Sequence, residues 1–393
     1  MIENLKKQFI DTFGGNDENL RVFASPGRVN LIGEHIDYNG GAVFPAALTM
    51  KTTIVARKRD DNVIRLKATD LDILVETTIE DMEECAKNLK WGDYQLAVAL
   101  KLQEAGYDIV GCDLLYDDTV PHGSGLSSSA AIEVSTALMF ATFSNEKNGI
   151  DTDVDMVKMA LLSQSAEHYI GVNCGIMDQF ASAMGKANHA IYLDCATLDF
   201  EHVPLNLGDC CLVLSNTNKK HALGDSKYNE RRGECEAGLA ALKTVLPDIN
   251  QLVDVSVEDF EANKDVITDP IVQKRIKHVV YECDRVRKSV DALKAGDIAT
   301  FGQLMNASHD SLQYDYEVSC DELDILALEA RKLPYVIGSR MTGAGFGGCT
   351  VSVVETAHAQ DFIDTLAPIY EEKVGYAASF YISEIGDGGR EIK

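Results

Sequence analysis

The chain has 393 residues, of which 46% are hydrophobic and 25% charged, as in an ordinary globular protein with two or three domains. Acidic residues number 62 and basic residues 36, so the formal net charge is −26. This acidic excess argues against a nucleic-acid partner and against docking on an anionic membrane, because both depend on clustered Lys and Arg. An anionic small-molecule substrate would need a local set of hydrogen-bond donors.

The N-terminal stretch alternates charged and apolar residues and lacks the apolar core of a secretory signal. No segment approaches the ~18 consecutive apolar residues that a membrane span requires. Ten cysteines and nine histidines are scattered along the chain without C-x-x-C or H-E-x-x-H spacing, which argues against a zinc site. We interpret the cysteines as free thiols, mostly buried, and expect a cytoplasmic protein.

The first half of the chain contains most of the predicted strands. Segments rich in Val, Ile and Thr predict strands at Ala42–Leu48, Thr52–Lys58, Val63–Ala68 and Ile73–Ile79. The pattern then predicts a helix at Tyr94–Ala105, a strand at Asp113–Tyr116, helices at Ser129–Phe143 and Val154–Tyr169, and a strand at Ala190–Asp194. The helix from Ser129 is apolar on nearly all sides, which indicates that it is buried.

A polar connector over Glu201–Asp209 suggests a domain boundary near residue 204, with domains at 1–204 and 205–393. Beyond it the predicted elements are a strand at Cys211–Ser215, helices at Tyr228–Val245, Ile271–Leu293, Ile298–Ser311 and Glu322–Arg331, and a closing strand, helix and strand at Cys349–Val354, Ala359–Val374 and Ala378–Ile382. A strand-rich half followed by a helix-rich half indicates α+β domains.

Two glycine-rich segments are candidates for a functional role. In Pro121–Ala131, two glycines permit close backbone approach and three serines lead into a helix N-terminus, which is a favourable place for an anion. A serine-capped helix after a glycine turn explains the segment equally well. Thr342–Gly348 matches G-x-G-x-x-G, but a strand follows it where a dinucleotide site needs a helix. We interpret it as a tight loop that braces an active site.

Two polar segments also stand out. Gly27–Tyr38 combines donors and acceptors within a short stretch, which suits a polyhydroxylated ligand, although a solvated charged turn is the alternative. Gly175–Gln179 places Asp178 between apolar residues, where it could act as a general base or cap a helix. Glu167, near the end of the preceding predicted helix, could reach the same cleft.

The order and content of these segments resemble the galactokinases, a family of the GHMP superfamily of small-molecule kinases. Pro26–Asn39 resembles the first, galactokinase-specific motif, Pro121–Ala131 the phosphate-binding second motif, and Met341–Gly348 the third. Cys174–Gln179 and Asn216–Arg232 also resemble galactokinase segments, so the resemblance covers nearly the whole chain.

The resemblance implies an α+β fold, the two-domain α/β fold of the GHMP kinases. Its N-terminal domain would resemble domain 2 of ribosomal protein S5 and its C-terminal domain would be ferredoxin-like, with the active site in the cleft between them. The last strands could return to the first domain. The implied reaction transfers the γ-phosphoryl group of ATP to the C1 hydroxyl of α-D-galactose with Mg²⁺, and we expect a monomer.

The resemblance also implies roles for individual residues. Asp178 would accept the C1 proton, and Arg28 would keep it ionised and offset charge on the transferred group. Ser129 and Glu167 would hold Mg²⁺. The implied sugar-binding residues are Glu34, His35, Ile36, Asp37, Gly175 and Tyr228. The implied nucleotide-binding residues are Gly123, Ser124, Gly125, Leu126, Ser127, Ser128 and Ser129, with Trp91 and Tyr94 against the adenine. Core packing explains Trp91 equally well.

Two other functions stay open at this point. The first is a related GHMP sugar kinase acting on N-acetylgalactosamine or arabinose, since the size of a sugar pocket is not visible in the sequence. The second is a galactose sensor without turnover. Sensors of this kind lack a small dipeptide after the serine run, and the presence of Ala130-Ala131, Asp178 and Arg28 favours an enzyme.

Overall fold

The computed structural model of the chain describes residues 1–88, 91–219 and 224–393, the last range with side chains from residue 227. Its first elements are α1 (Ile2–Phe13), β1 (Arg21–Asn30), β2 (Ala42–Val43), β3 (Pro45–Lys58), β4 (Val63–Ala68), β5 (Leu74–Thr78), α2 (Met82–Asn88), α3 (Asp93–Glu104), β6 (Cys112–Asp118), α4 (Ser128–Lys147), α5 (Met156–Tyr169), α6 (Met177–Met184), β7 (His189–Asp194) and β8 (Phe200–Pro204).

The remaining elements are β9 (Cys210–Asn216), α7 (Gly224–Lys243), α8 (Val257–Asn263), α9 (Pro270–Lys294), α10 (Ile298–Tyr314), α11 (Asp321–Ala330), β10 (Val336–Thr342), β11 (Cys349–Glu355), α12 (Ala359–Val374), β12 (Ser379–Ser383) and β13 (Arg390–Glu391). Short 3₁₀ helices include Asp37–Asn39, at the end of the first motif. Within the described ranges, no helix is long and apolar enough to cross a membrane.

The described strands form three sheets. The N-terminal sheet has the order β13-β1-β3-β6-β4-β5, and its neighbours run antiparallel except for the parallel pair β4 and β6. The C-terminal sheet has the order β10-β11-β9-β12, and a small sheet has the order β2-β7-β8. The last strand, β13, therefore lies beside β1, at the opposite end of the sequence.

The side chains of the central strands alternate between the two faces of the N-terminal sheet, and helices cover both faces. Phe23 and Ile54 point to the side covered by α3, α4 and α5, while Val22 and Val55 point to the side covered by α1. Successive side chains of a strand face opposite ways, so each strand needs apolar residues at neighbouring positions when both faces are covered. β1 is accordingly buried at every position after Arg21.

A break in the pairing of β1 with β3 positions the first motif. The register shifts between Pro26 and Arg28, where Pro26 pairs with Lys51 and Arg28 with Ala47. Such bulges bend a strand and redirect its side chains, and they are frequent next to active sites. The Arg28 N–H then donates to the Leu126 carbonyl at 3.0 Å, which ties the bent strand to the second motif.

The main apolar cluster is continuous across the predicted domain boundary. It contains Val29 and Ile36 of the first motif together with Val279 of α9 and Leu312 of α10. The division of the chain at residue 204 stays a prediction.

Several strands differ from the sequence-based expectations, since β1 and β13 were not predicted. The two strands predicted between residues 42 and 58 are joined in the long β3, apart from Ala42–Val43, which form β2, and β8 lies in the predicted polar connector. β10 lacked an apolar pattern because its buried positions include the polar Ser339, Arg340 and Thr342. In β8 only Val203 is buried, so its apolar signal is also weak.

Candidate active site

A cavity of about 1000 Å³ opens where four segments meet. They are the Glu-His loop (residues 31–41), the serine loop (residues 121–129), the segment leading into α6, and the glycine loop (residues 343–348). Many of the residues selected from the sequence line this cavity: Arg28, Glu34, His35, Asp37, Trp91, Tyr94, Gly123, Gly125, Ser127, Ser128, Ser129, Glu167, Gly175, Asp178 and Tyr228. Ile36, Ser124 and Leu126 are instead buried in its supporting wall.

Asp178 lies at the centre of the site and has a defined set of partners. The Arg28 guanidinium donates to Asp178 Oδ1 from Nε at 3.0 Å and from Nη2 at 2.7 Å. The Ser127 hydroxyl donates to Asp178 Oδ2. Arg28 Nη1 also donates to the Gly125 carbonyl at 2.6 Å, so one arginine joins the serine loop to the acid.

The position of Asp178 on α6 argues against the interpretation of this acid as a helix cap. The N-terminal cap of α6 is Ile176, and Asp178 is the second residue of the helix, so its carboxylate does not cap the helix. It is half-buried and faces the cavity beside Arg28. A carboxylate in the first turn is favoured by the helix dipole.

The serine loop has the backbone geometry expected of an anion site. Gly123, Gly125 and Ser127 all have positive φ, between 62° and 72°, and α4 begins immediately afterwards at Ser128. The hydroxyl of the capping residue Ser127 turns to Asp178 rather than to the helix. The first N–H groups of α4 are therefore not capped by that side chain, which suits a bound phosphate group.

The glycine loop packs directly on the serine loop. A methyl group on Gly343 would lie 2.8 Å from the Gly125 carbonyl oxygen, and one on Gly348 would lie 2.8 Å from the Ser124 carbonyl oxygen. Both glycines also have positive φ, 86° and 78°. Any side chain here would push the two loops apart. This contact is consistent with a loop that braces the site.

In the Glu-His loop, both ring nitrogens of His35 form hydrogen bonds with other groups of the protein. Nε2 lies 3.0 Å from the Ala344 carbonyl and Nδ1 lies 2.9 Å from the Tyr38 hydroxyl. A carbonyl can only accept, so Nε2 carries the proton and Tyr38 donates to Nδ1. Burial lowers the pKa of His35 to about 3, which keeps the ring neutral. A ligand can therefore meet His35 through its ring face or its backbone.

The carboxylate of Glu34 also bonds to other groups of the protein, although the sequence suggested that it contacts a ligand. Its carboxylate accepts from the Asn30 side-chain amide at 2.8 Å and from the Gly343 N–H at 2.9 Å, and it pairs with Arg340. Glu34 and Arg340 are fully buried. Sequence reasoning missed Arg340, because β10 was not predicted and nothing in the spacing connects it with Glu34.

Asp37, Gly175 and Tyr228 come together on the side of the cavity near Asp178. A methyl group on Gly175 would lie 1.8 Å from Asp37 Oδ2, so only glycine leaves room for this carboxylate. Burial, reinforced by the charge of Asp178, raises the pKa of Asp37 to about 6. The Tyr228 ring centroid lies 5.4 Å from that of His35. Tyr228 belongs to the segment Asn216–Arg232, of which residues 220–223 lie outside the described part of the chain.

A second group of acids lies beside Asp178. Glu167 accepts from the side-chain amide of Gln179 and, at 3.1 Å, from the thiol of Cys174. The same Gln179 amide donates to the fully buried Glu133 at 3.0 Å. Burial, reinforced by the charge of Glu167, raises the pKa of Glu133 well above its ordinary value. Glu133 and Gln179 were not predicted as site residues. The signal in the sequence was the presence of an acid, Glu133, inside the apolar helix α4.

Aromatic residues line the far side of the cavity. Trp91 and Tyr94 flank the start of α3, and the Trp91 ring stands at 88° to Tyr116 with 6.3 Å between centroids. Trp91 is half-buried, so part of its ring is accessible from the cavity. Among the residues that the structure describes, no group of three or more His, Cys, Asp or Glu is arranged to hold a metal ion.

Three family models match the chain. The galactokinase galactose-binding signature matches residues 7–58, the GHMP kinase N-terminal domain matches residues 93–186, and the GHMP kinase C-terminal domain matches residues 289–370. The signature contains Arg28 and the Glu-His loop, and the N-terminal domain model contains the serine loop and Asp178. The predicted fold class is thereby confirmed.

Similar proteins agree with the family models. A galactokinase of Clostridium acetobutylicum is 46% identical over 100% of this chain and 99% of its own length, and one of Bacillus subtilis is 45% identical over 100% of each. The crystal structure of Lactococcus lactis galactokinase complexed with galactose superposes with a TM-score of 0.92, at 41% identity over 100% of both chains. A mevalonate kinase, 19% identical with a TM-score of 0.66 over 93% of this chain and 99% of its own, shares the fold. The chain belongs to the galactokinase family of the GHMP kinases.

Proposed function

We propose that the protein transfers the γ-phosphoryl group of ATP to the C1 hydroxyl of α-D-galactose, giving galactose 1-phosphate and ADP. The observation that carries this proposal is the position of Asp178, which is bonded to Arg28 of the galactose-binding signature and to Ser127 of the serine loop. A base at this junction can touch an acceptor hydroxyl while the phosphate donor lies alongside.

Asp178 would accept the proton of the C1 hydroxyl as the new P–O bond forms. Arg28 would hold the carboxylate in place and offset negative charge on the transferred group, because its guanidinium already spans Asp178 and the serine loop. Phosphoryl transfer depends mainly on such positioning and charge stabilisation.

The serine loop explains how a chain with a net charge of −26 could bind a triphosphate. Backbone N–H groups between Gly123 and Ser129 and the N-terminus of α4 supply donors without Lys or Arg. The adenine would lie against Trp91 and Tyr94. The excess of acidic residues therefore lies elsewhere on the surface and not in this loop.

Ser129 and Glu167 would hold Mg²⁺. A hydroxyl and a carboxylate are the hard oxygen ligands that this ion prefers, and both line the cavity beside Asp178. The raised pKa of Glu133 shows that carboxylates crowd this corner, which suits a nearby cation. When bound, Mg²⁺ would neutralise charge on the phosphates. Gln179 and Cys174 would keep Glu167 in place by donating to it.

Asp37, Gly175 and Tyr228 would bind the hydroxyls of galactose, with Asp37 accepting and Tyr228 donating. Glu34, His35 and Ile36 would act mainly by shaping the loop, since the side-chain polar atoms of Glu34 and His35 have protein partners. A sugar site with fixed acceptors discriminates strongly against analogues that lack the matching hydroxyl.

The test is ADP release from Mg-ATP with galactose, N-acetylgalactosamine, arabinose and glucose in parallel. We expect the largest kcat/KM with galactose. A higher value with N-acetylgalactosamine or arabinose would identify the related sugar kinase instead. No release with any sugar, together with galactose binding in calorimetry, would identify a sensor.

A further inference from the structure

One face of α9 holds the Glu-His loop, although the two are far apart in the sequence. His278 and Glu282 are four residues apart and therefore lie on the same side of the helix. Both side chains are fully buried. They contact the backbone of neighbouring residues of the loop, Gly33 and Glu34.

Glu282 fixes the N–H group of Gly33. The N–H donates to Glu282 Oε1 at 3.0 Å, and the same oxygen accepts from the hydroxyl of Ser308 on α10. Glu282 Oε2 accepts from Arg285 Nε at 2.6 Å. Burial is the largest influence and raises the pKa of Glu282, but the Arg285 guanidinium and the other groups around it, Arg340 and Ser308 among them, together outweigh it and bring the pKa to about 2. The Gly33 N–H therefore meets a carboxylate, and a charged acceptor makes a strong hydrogen bond.

His278 fixes the carbonyl group of Glu34. Its Nε2 lies 3.1 Å from that carbonyl and must donate. Nδ1 lies 3.0 Å from the Ser311 hydroxyl, whose single proton is shared between Nδ1 and Asp315 Oδ2 at 3.2 Å. Burial lowers the pKa of His278 to about 4, so the ring is neutral and has this one tautomer at neutral pH. The donor to the loop is thus fixed in direction by α10.

Apolar packing completes the contact between helix and loop. A methyl group on Gly33 would lie 3.0 Å from Val286 Cγ2, one helical turn beyond Glu282. The loop therefore rests directly on the helix at this point. Gly33 and Glu34 immediately precede His35 and Asp37, so their backbone sets the position from which those residues enter the cavity.

We propose that His278 and Glu282 are positioning residues for galactose, which fix the backbone of the Glu-His loop from the C-terminal half of the chain. Neither lines the cavity itself, and His278 reaches it only through the carbonyl of Glu34. They act through Gly33 and Glu34 on Asp37, and so on sugar affinity rather than on nucleotide affinity. This inference rests on the proposed binding of galactose by that loop.

The experiment measures galactose Kd by calorimetry together with kcat and both KM values, in the full-length protein. His278→Ala removes the donor to Glu34 without leaving a buried charge. We expect galactose Kd and KM to rise about tenfold, as for the loss of a buried hydrogen bond and its orientation. We expect kcat and the KM for ATP to stay within about twofold. His278→Gln, whose amide can reach the same carbonyl, should restore most of the affinity.

Val280→Ala is the matched control, because Val280 is equally buried on α9 but lies on another side of the helix. It should lower the melting temperature with galactose Kd unchanged. Glu282→Ala should resemble His278→Ala. If His278→Ala does not fold, Ser311→Ala removes the hydroxyl beside Nδ1, together with its bond to Asp315, and should give a smaller rise in galactose Kd.

Unchanged galactose Kd in the folded His278 and Glu282 variants, or equal rises in their KM values for galactose and ATP, would overturn the inference. Failure of the proposed function itself looks different, because the parent protein would then show no galactose-dependent ADP release.

Discussion

The serine loop and the Glu-His loop line the same cavity around Asp178, but the protein holds them in different ways. The serine loop rests on another backbone, that of the glycine loop, with Gly343 and Gly348 as the contact points. The Glu-His loop is held by buried side chains that come from α9 and β10, among them Glu282 and Arg340. A triphosphate can be bound by N–H groups of any sequence, whereas discrimination among sugars requires acceptors at fixed positions.

The largest expected effect comes from Asp178, which is bonded to the serine loop and to Arg28. Asp178→Asn preserves the size of the side chain and leaves an amide that can still bond to the Ser127 hydroxyl. The neutral amide cannot accept the proton of a substrate hydroxyl. We expect kcat to fall by about 10³-fold or more, since a general base contributes 10²–10⁴-fold. Rapid-quench or coupled ADP assays measure this, and calorimetry should still detect galactose. Normal turnover by a folded Asp178→Asn variant would remove Asp178 from the role of base.

A second substitution tests the Glu-His loop alone. Asp37→Asn removes an acceptor for galactose, and we expect the galactose KM to rise about 10- to 100-fold with little change in the KM for ATP. The same change should stabilise the sugar-free protein at pH 7 by about 1–3 kcal/mol. Folding raises the pKa of Asp37 from 3.8 to about 6, which penalises its ionised form.

The pH dependence of the stability difference between Asp37→Asn and the parent protein tests this explanation. The folded state holds the Asp37 proton more tightly than the unfolded state, so this group makes the parent protein less stable as pH rises from about 4 to 6. The difference in melting temperature between Asp37→Asn and the parent should be full above about pH 6 and vanish near pH 4. Asp151→Asn, at an exposed position, is the control. A constant difference at all pH values would contradict the explanation.

A third substitution tests the serine loop alone. Gly348→Ala adds a methyl group 2.8 Å from the Ser124 carbonyl oxygen, at a φ of 78°. Because the serine loop must move, we expect the KM for ATP to rise about fivefold to tenfold, with the galactose Kd unchanged. Kinetics at saturating galactose measure the first value.

Gly375 offers a matched control for that substitution. Its φ is 90°, and a methyl group there would have no atom within 4 Å. Gly375→Ala therefore carries the same backbone strain, of about 1 kcal/mol, without a contact to the serine loop. An equal loss of ATP affinity in both variants would show that strain, and not contact between the loops, is responsible.

The two loops also differ in how much of them the sequence predicts. The serine loop, Arg28 and Asp178 were identified because glycines, serines and acids are unusual within apolar segments. Their partners lie in the same recognisable motifs. The helical pattern also gave α4, α5, α9 and α12 with small errors at their ends, since burial of one or more faces sets that pattern.

The supports of the Glu-His loop could not be predicted in the same way. Glu282 is 249 residues from Gly33, and in the sequence it is an ordinary charge on an amphipathic helix. Arg340 lies in a strand whose buried residues are mostly polar, so the apolar pattern that marks a strand is missing. For the same reason Glu34 and His35 suggested ligand contacts, because their protein partners come from distant segments.

The smallest expected effect concerns the adenine wall beside the serine loop. Trp91 lines the cavity, and it is the single tryptophan of the chain. Trp91→Phe keeps an aromatic face but reduces its area, so we expect the KM for ATP to rise about twofold to fivefold and the galactose KM to stay constant. In the parent protein, ATP should change the tryptophan emission while galactose alone should not. If neither the KM for ATP nor the emission responds, Trp91 packs only against Tyr116 and the adenine lies elsewhere, and the comparison between the two loops then rests on their backbone contacts.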